Sequence, residues 1–136
     1  MHPFQTATPS VLISGTTAAT TARTANLDCQ SANHATIVIT TSAEANTDST
    51  NVVLSMLESN DTTASNFATF NSAHERTIDN TSAAVAVVHV PLVGRKRYLR
   101  VSLTPDTTTN GAVIVSAAAL LHKDQTGATA STVSIG

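Results

Sequence analysis

Apolar and polar residues alternate with a period of two in most of the ordered-looking stretches of this chain, and no stretch reads as an amphipathic helix. The clearest run is residues 84–103. Val85, Val87 and His89 alternate with Ala86, Val88 and Val90, which predicts a strand that ends or meets a sheet edge at Pro91, since proline cannot donate to a ladder. Gly94 permits a corner, Arg95, Lys96 and Arg97 keep it in water, and alternation resumes with Leu99, Val101 and Leu103 on one face. Other predicted strands are Ala35–Thr40, Asn51–Glu58, a short Phe67–Phe70 and Ala112–Leu121, with a briefer strand start at Asn26–Cys29. The last long run is apolar on both faces, which predicts a central position; a helix competes with a strand at 117–121.

Between these runs lie turn formers. Ser59–Asn66 is rich in Asn, Asp and Ser, which bond their own backbone, and Asn110-Gly111 tolerates positive φ. Residues 71–83 read as a polar excursion with Ile78 tucked inward. Seven or eight strands spaced by turns predict an all-β fold: an antiparallel β-sandwich or jelly roll with extended N- and C-terminal arms. Its two sheets are expected to enclose Ile37, Leu54, Val87, Leu99, Val101 and Val115. The expected division is an arm over 1–25, a sandwich over 26–121 and a tail over 122–136. The first segment is Thr-, Ala- and Ser-rich with one apolar patch at Val11–Ile13. It reads either as a disordered terminus or as an arm that orders against a neighbouring molecule, with Phe4 and Leu12 as anchors.

Composition supports the β assignment: Thr and Val are abundant, while Leu, Glu and Lys are scarce. A single cysteine, Cys29, rules out an intrachain disulfide. Neither a signal peptide nor a membrane span is expected, and synthesis in a reducing cytoplasm follows. Only 12% of residues are charged and the formal net charge is −2, which argues against a nucleic-acid partner.

Candidate chemistry is thin. The five histidines, His2, His34, His74, His89 and His122, fit no metal-ligand spacing, and one cysteine cannot complete a zinc site. Cys29 with His34 as a catalytic pair, and Asn60, Asp61 and Asn66 as a calcium loop, are each weaker readings than a buried thiol and a satisfied turn. No cofactor, no metal and no catalytic residue is expected. Arg95, Lys96, Arg97 and Arg100 hold four of the seven basic residues; they read as an exposed corner that blocks edge-to-edge aggregation or as a partner contact.

Three segments resemble a known family. Leu57-Glu58-Ser59-Asn60-Asp61 with Asn66-Phe67-Ala68-Thr69-Phe70, then Gly94-Arg95-Lys96-Arg97-Tyr98-Leu99-Arg100-Val101, then Asn110-Gly111-Ala112-Val113 are similar to the "LQESDD…F", "GxKRYLRV" and "TGAV" segments of small proteins encoded beside capsid genes in tailed phages and prophages. The resemblance spans roughly residues 35–121. It implies a capsid cement or decoration protein of the virion exterior, made in the host cytoplasm, that binds the major capsid protein, stabilises the shell and catalyses nothing. It also implies a dimer or trimer on the capsid lattice. The expected capsid contacts are Phe4, Leu12, Arg95, Lys96, Arg97 and Arg100. A head–tail connector or tail-decoration protein is the alternative, and a carbohydrate-binding surface module a more distant one.

Overall fold

Strands form where alternation is cleanest, and side-chain parity along each decides what is buried. The structure, a computed structural model, describes residues 5–18, 22–43, 51–69, 75–105 and 113–124. Nine strands follow in chain order: β1 (Gln5–Ala18), β2 (Arg23–Asp28), β3 (His34–Thr41), β4 (Asn51–Ser59), β5 (Ala68–Thr69), β6 (Arg76–Asp79), β7 (Ala84–Pro91), β8 (Tyr98–Pro105) and β9 (Val113–Asp124). Sheet A has the order β1-β9-β3-β7; sheet B has the order β2-β8-β4-β5, with β6 also on β4. Every pairing is antiparallel.

The connectivity has a simple logic. β1 pairs β9, β2 pairs β8, β3 pairs β7 and β4 pairs β6, so the chain is one long hairpin of four strand pairs. Rolling that hairpin up adds the β3–β9 and β4–β8 ladders, which complete the two sheets. This is jelly-roll topology. The fourth position of sheet B is split: β6 covers Asn51–Leu54 of β4, and β5 covers Leu57 and Glu58.

Between the sheets lie Ile37, Ile39, Val88, Val90, Val113 and Val115 from sheet A, facing Val52, Leu54, Met56, Leu99, Val101 and Leu103 from sheet B. Small side chains on the inner face, Ala35, Ala117 and Ala119, bring the sheets close with few aromatics. Val87, expected in this core, instead points outward and is 52% exposed. Among the described residues strand β7 pairs with β3 alone, and it buries its even-numbered valines, so the odd-numbered face is left to solvent.

Both ends of the chain differ from the expected arm–sandwich–tail division. Residues 5–18 form β1 at the edge of their own sheet, and β9 continues past Leu121 to Asp124. A ladder to β9 satisfies the backbone of this Thr/Ala-rich segment, Ile13 reaches the core and Leu12 packs against it. Two register shifts, between Val11 and Ile13 and between Ile13 and Thr16, bend this edge; Gly15 at φ +30° lies in the second. Phe4 and residues 125–136 lie outside the described residues.

Candidate functional site

The basic corner is an arch rather than a hairpin, because β7 and β8 lie in opposite sheets. Its first turn is made by Leu92–Arg95: Arg95 N–H donates to Leu92 O at 3.0 Å, and Gly94 sits at φ +79°. A side chain there would strain the backbone, which is why glycine occupies the third position of this turn. Leu92 turns into the core, leaving Val93 77% exposed at the tip.

Four contacts clamp the arch to its neighbours. Leu92 N–H donates to Asn33 O (2.8 Å), and Cys29 N–H donates to Arg97 O (2.8 Å). Glu58, which follows the inward-facing Met56 by two residues at the open end of β4, accepts from Lys96 N–H through Oε2 at 3.3 Å. Arg97 grips Asp28 with a two-pronged contact, Nε to Oδ1 at 3.0 Å and Nη2 to Oδ2 at 2.7 Å, and its guanidinium lies 5.0 Å from the centre of the Tyr98 ring. The Arg97 guanidinium holds the Asp28 carboxyl below the usual aspartate range, with Gln30 N–H adding to the effect and slight burial opposing it.

Arg100 is a fold residue as well. It points outward from sheet B between Asn26 and Leu57. Its guanidinium stacks 3.9 Å above the Phe67 ring, Nε donates to Asn26 Oδ1 at 2.8 Å, and Nη1 lies 3.5 Å from Ala64 O. Phe67 is buried yet stands outside the main core. The 60–67 loop therefore folds back over sheet B and is pinned there by Arg100. Within it Asp61 accepts from Thr63 N–H and Asn66 Nδ2, and these bonds, Asn66's first, lower the Asp61 pKa.

The expected contact residues thus separate. Arg97 and Arg100 hold partners from β2 and the 60–67 loop, and Arg97 is exposed at the arch together with Arg95 and Lys96. Leu12 is half-buried and packs against the core, and Phe4 lies outside the described residues. Chain spacing groups Arg97 and Arg100 into one basic cluster, whereas Asp28, Asn26 and Phe67, which engage them, lie 33 to 74 residues away.

Cys29 is buried beside Leu27 and Leu99, and burial pushes its thiol up to about 11. His89 Nδ1 and His122 Nε2 lie 3.0 and 3.3 Å from Thr36 Oγ1 on the outer face of sheet A. Among the described residues no group of three or more His, Cys, Asp or Glu side chains is placed to hold a metal ion. No described helix is long and apolar enough to cross a membrane.

The outer face of sheet A is the feature that sequence reading missed. Cross-strand registers align Val87, Val38, Ala118 and Val11 in one row across all four strands, and His89, Thr36, Leu120 and Pro9 in the next. Neither row contains Asp, Glu, Lys or Arg. A shallow apolar depression of about 550 Å³ opens over Ala118, between Pro9, Val11, Val38 and Leu120. The signal was the odd-numbered valines of β7, which fit an apolar outer face as well as they fit a core.

No protein-family model and no curated protein matches the chain. Among solved structures it is similar to the coat protein of Tobacco streak virus, with 8% identity, 93% of this chain and 90% of that chain covered, and a TM-score of 0.47.

Proposed function

We propose that this chain is a structural virion protein that binds the outside of a tailed-phage capsid and stabilises the shell by bridging neighbouring major capsid subunits. The observation that carries the reading is the clamped arch. Its backbone is tied to the β2–β3 loop and to the Glu58 side chain of β4, and the Arg97 side chain to Asp28 of β2, while Val93, Arg95 and Lys96 project from it exposed. A rigid protrusion tipped by one apolar and two basic side chains is suited to docking on an acidic-rimmed protein surface without an ordering cost on binding.

Two further features support the reading. Jelly rolls serve chiefly as capsid domains, lectins and cupins, and a shared fold alone does not assign a function. Cupin chemistry relies on a clustered metal-ligand set and sugar binding on stacked aromatics, whereas here Phe67 lies beneath Arg100. The phage-like segments add the Gly94–Val101 motif, whose glycine, Arg97 and Arg100 shape the arch and the adjoining face of sheet B. A subunit held at more than one point on the lattice gains effective concentration, and binding only the assembled shell stabilises it by linkage.

The test is co-sedimentation of the purified protein with expanded phage heads, counting bound copies per particle. Stoichiometry matching the capsid lattice, lost on combined Arg95→Ser and Lys96→Ser substitution while circular dichroism shows the β fold retained, is the expected result. Binding limited to a single vertex would transfer the reading to a connector. Undiminished binding by the double variant would remove the arch from the interface.

A further inference from the structure

The sandwich has four sheet edges, and three carry features that discourage pairing with another chain. β1 holds Pro9 and two register shifts. β2 is six residues long with Arg23 and Asp28 at its ends. The fourth position of sheet B is broken into pieces of two and four residues, the latter bearing Arg76 and Asp79. β7 has none of these along Ala84–Val90, and its proline, Pro91, closes the strand. It is eight residues long, carries no Asp, Glu, Lys or Arg, runs in unbroken register along β3, and among the described residues pairs with β3 alone.

The parity of its backbone groups follows from one bond. Leu92 N–H donates to Asn33 O in continuation of the β3–β7 register. In an antiparallel ladder the even-numbered residues of β7 therefore exchange bonds with β3, and the odd-numbered ones direct N–H and C=O away from it. Val85, Val87 and His89 thus present donors and acceptors along the open edge. Pro91, which has no donor, falls where its N–H would have pointed outward, so the intrachain ladder loses nothing.

We propose that β7 is the contact between two copies of this chain, paired antiparallel about a two-fold axis at Val87, so that sheet A continues from one protomer into the other. The strand is self-complementary in that register. Val87 opposes Val87 of the second copy, and Val85 opposes its His89 on both sides of the axis. All three positions own an N–H, so the ladder closes with every donor used and Pro91 beyond its end. The same register sets Ala86 against Val88 on the inner side. On the outer side it joins the row Val87, Val38, Ala118, Val11 to its own copy, giving one apolar row eight strands wide. An isologous contact of this kind closes on itself and does not propagate into fibres. The second copy is the occupant because a strand reading its own edge meets matching valines and matching bond parity, and no charge on either side opposes the approach. The proposal stands apart from the capsid reading, since it concerns the purified chain by itself.

Register-specific cross-linking tests it. In the proposed pairing the Val87 Cα atoms are about 5.5 Å apart, whereas the two Val85 Cα atoms are about 14 Å apart, from four residues of strand rise. Val85 and Val87 are 69% and 52% exposed, so Val85→Cys and Val87→Cys both leave the core intact, and the buried Cys29 thiol serves as the unreactive background. A short bis-maleimide is expected to link Val87→Cys into dimers and leave Val85→Cys and the wild type as single chains. Sedimentation equilibrium at about 100 μM, where weak interfaces are populated, is expected to give twice the monomer mass, and Val87→Lys to return it to that of one chain. Equal linking at both positions, or a wild type that remains monomeric at that concentration, overturns the proposal.

Discussion

Replacing Arg100 by alanine separates a fold residue from a partner contact. The side chain stacks on Phe67 at 3.9 Å, bonds Asn26 at 2.8 Å and reaches Ala64 O at 3.5 Å, from a half-buried position. A partly exposed cation–π contact is worth about 0.5–1 kcal/mol. The hydrogen bond to Asn26 is charge-assisted but open to solvent, which places it near about 1 kcal/mol. The loss is therefore about 1–2 kcal/mol. With unfolding entropy of about 2.1 cal/mol/K per residue, a chain of 136 residues drops in Tm by about 3–7 °C. Differential scanning calorimetry measures that shift, and amide hydrogen exchange is expected to show faster opening of residues 60–67, which Arg100 pins. Arg100→Lys keeps the charge but loses the flat, multiply donating surface, and is expected to recover less than half of the loss. An unchanged Tm in the alanine variant, or full rescue by lysine, would refute the assignment and return Arg100 to the pool of partner contacts.

Acid sensitivity and thiol reactivity follow from the same geometry. The pKa values of Asp28, Asp61 and Asp79 are all lowered, by Arg97, by Asn66 and Thr63, and by Thr81 respectively. Carboxyls that ionise more readily in the folded chain contribute stability that is present above the unfolded aspartate value of about 3.9 and lost as pH falls through the folded values; Tm is expected to decline below about pH 4, and Asp28→Asn to flatten that slope, whereas an identical slope would show that the Arg97 contact is not formed in solution. Cys29, pushed up to about 11 by burial, is expected to resist a disulfide-exchange reagent at pH 8 in the native protein and react fully in denaturant; rapid native labelling would contradict its place beneath the arch.

Much of the fold was legible because period-two alternation marks a strand whatever sheet it joins. Ala35–Thr40, Asn51–Glu58 and the Leu99, Val101, Leu103 face came through with boundaries within a few residues. The apolar run after Gly111 is indeed an interior strand, β9, between β1 and β3. What alternation cannot encode is which side of a strand faces the other sheet when both sides are apolar. Alternation alone places Val87 inward, whereas Val88 and Val90 are the buried pair. β1 is hard to see in the sequence because few of its residues are large and apolar: Ile13 is buried, Leu12 packs against the core, and the ladder to β9 satisfies the backbone. At the arch, Gly94 was identifiable from its residue type, but the engagement of Arg97 and Arg100 depends on Asp28, Asn26 and Phe67, which only the folded chain brings together.

The rolled-hairpin topology also governs how the molecule is made. Its innermost pair, β4 with β6, joins residues 22 to 28 apart, whereas its outermost pair sets Gln5 against Asp124. Such separations place the chain among slow folders, because each closure loses loop entropy before its contacts reward it. A route that closes β4 on β6 first and zips outward through β3–β7 and β2–β8 keeps each successive loop short. On a ribosome, sheet A cannot be completed until Val113–Asp124 has emerged, so β3 waits with one flank unpaired beside the uncharged β7. The interval between the emergence of β7 and that of β9 is thus the one of greatest exposure to misassociation, and slowing translation before Val113 is the condition under which that exposure would lengthen.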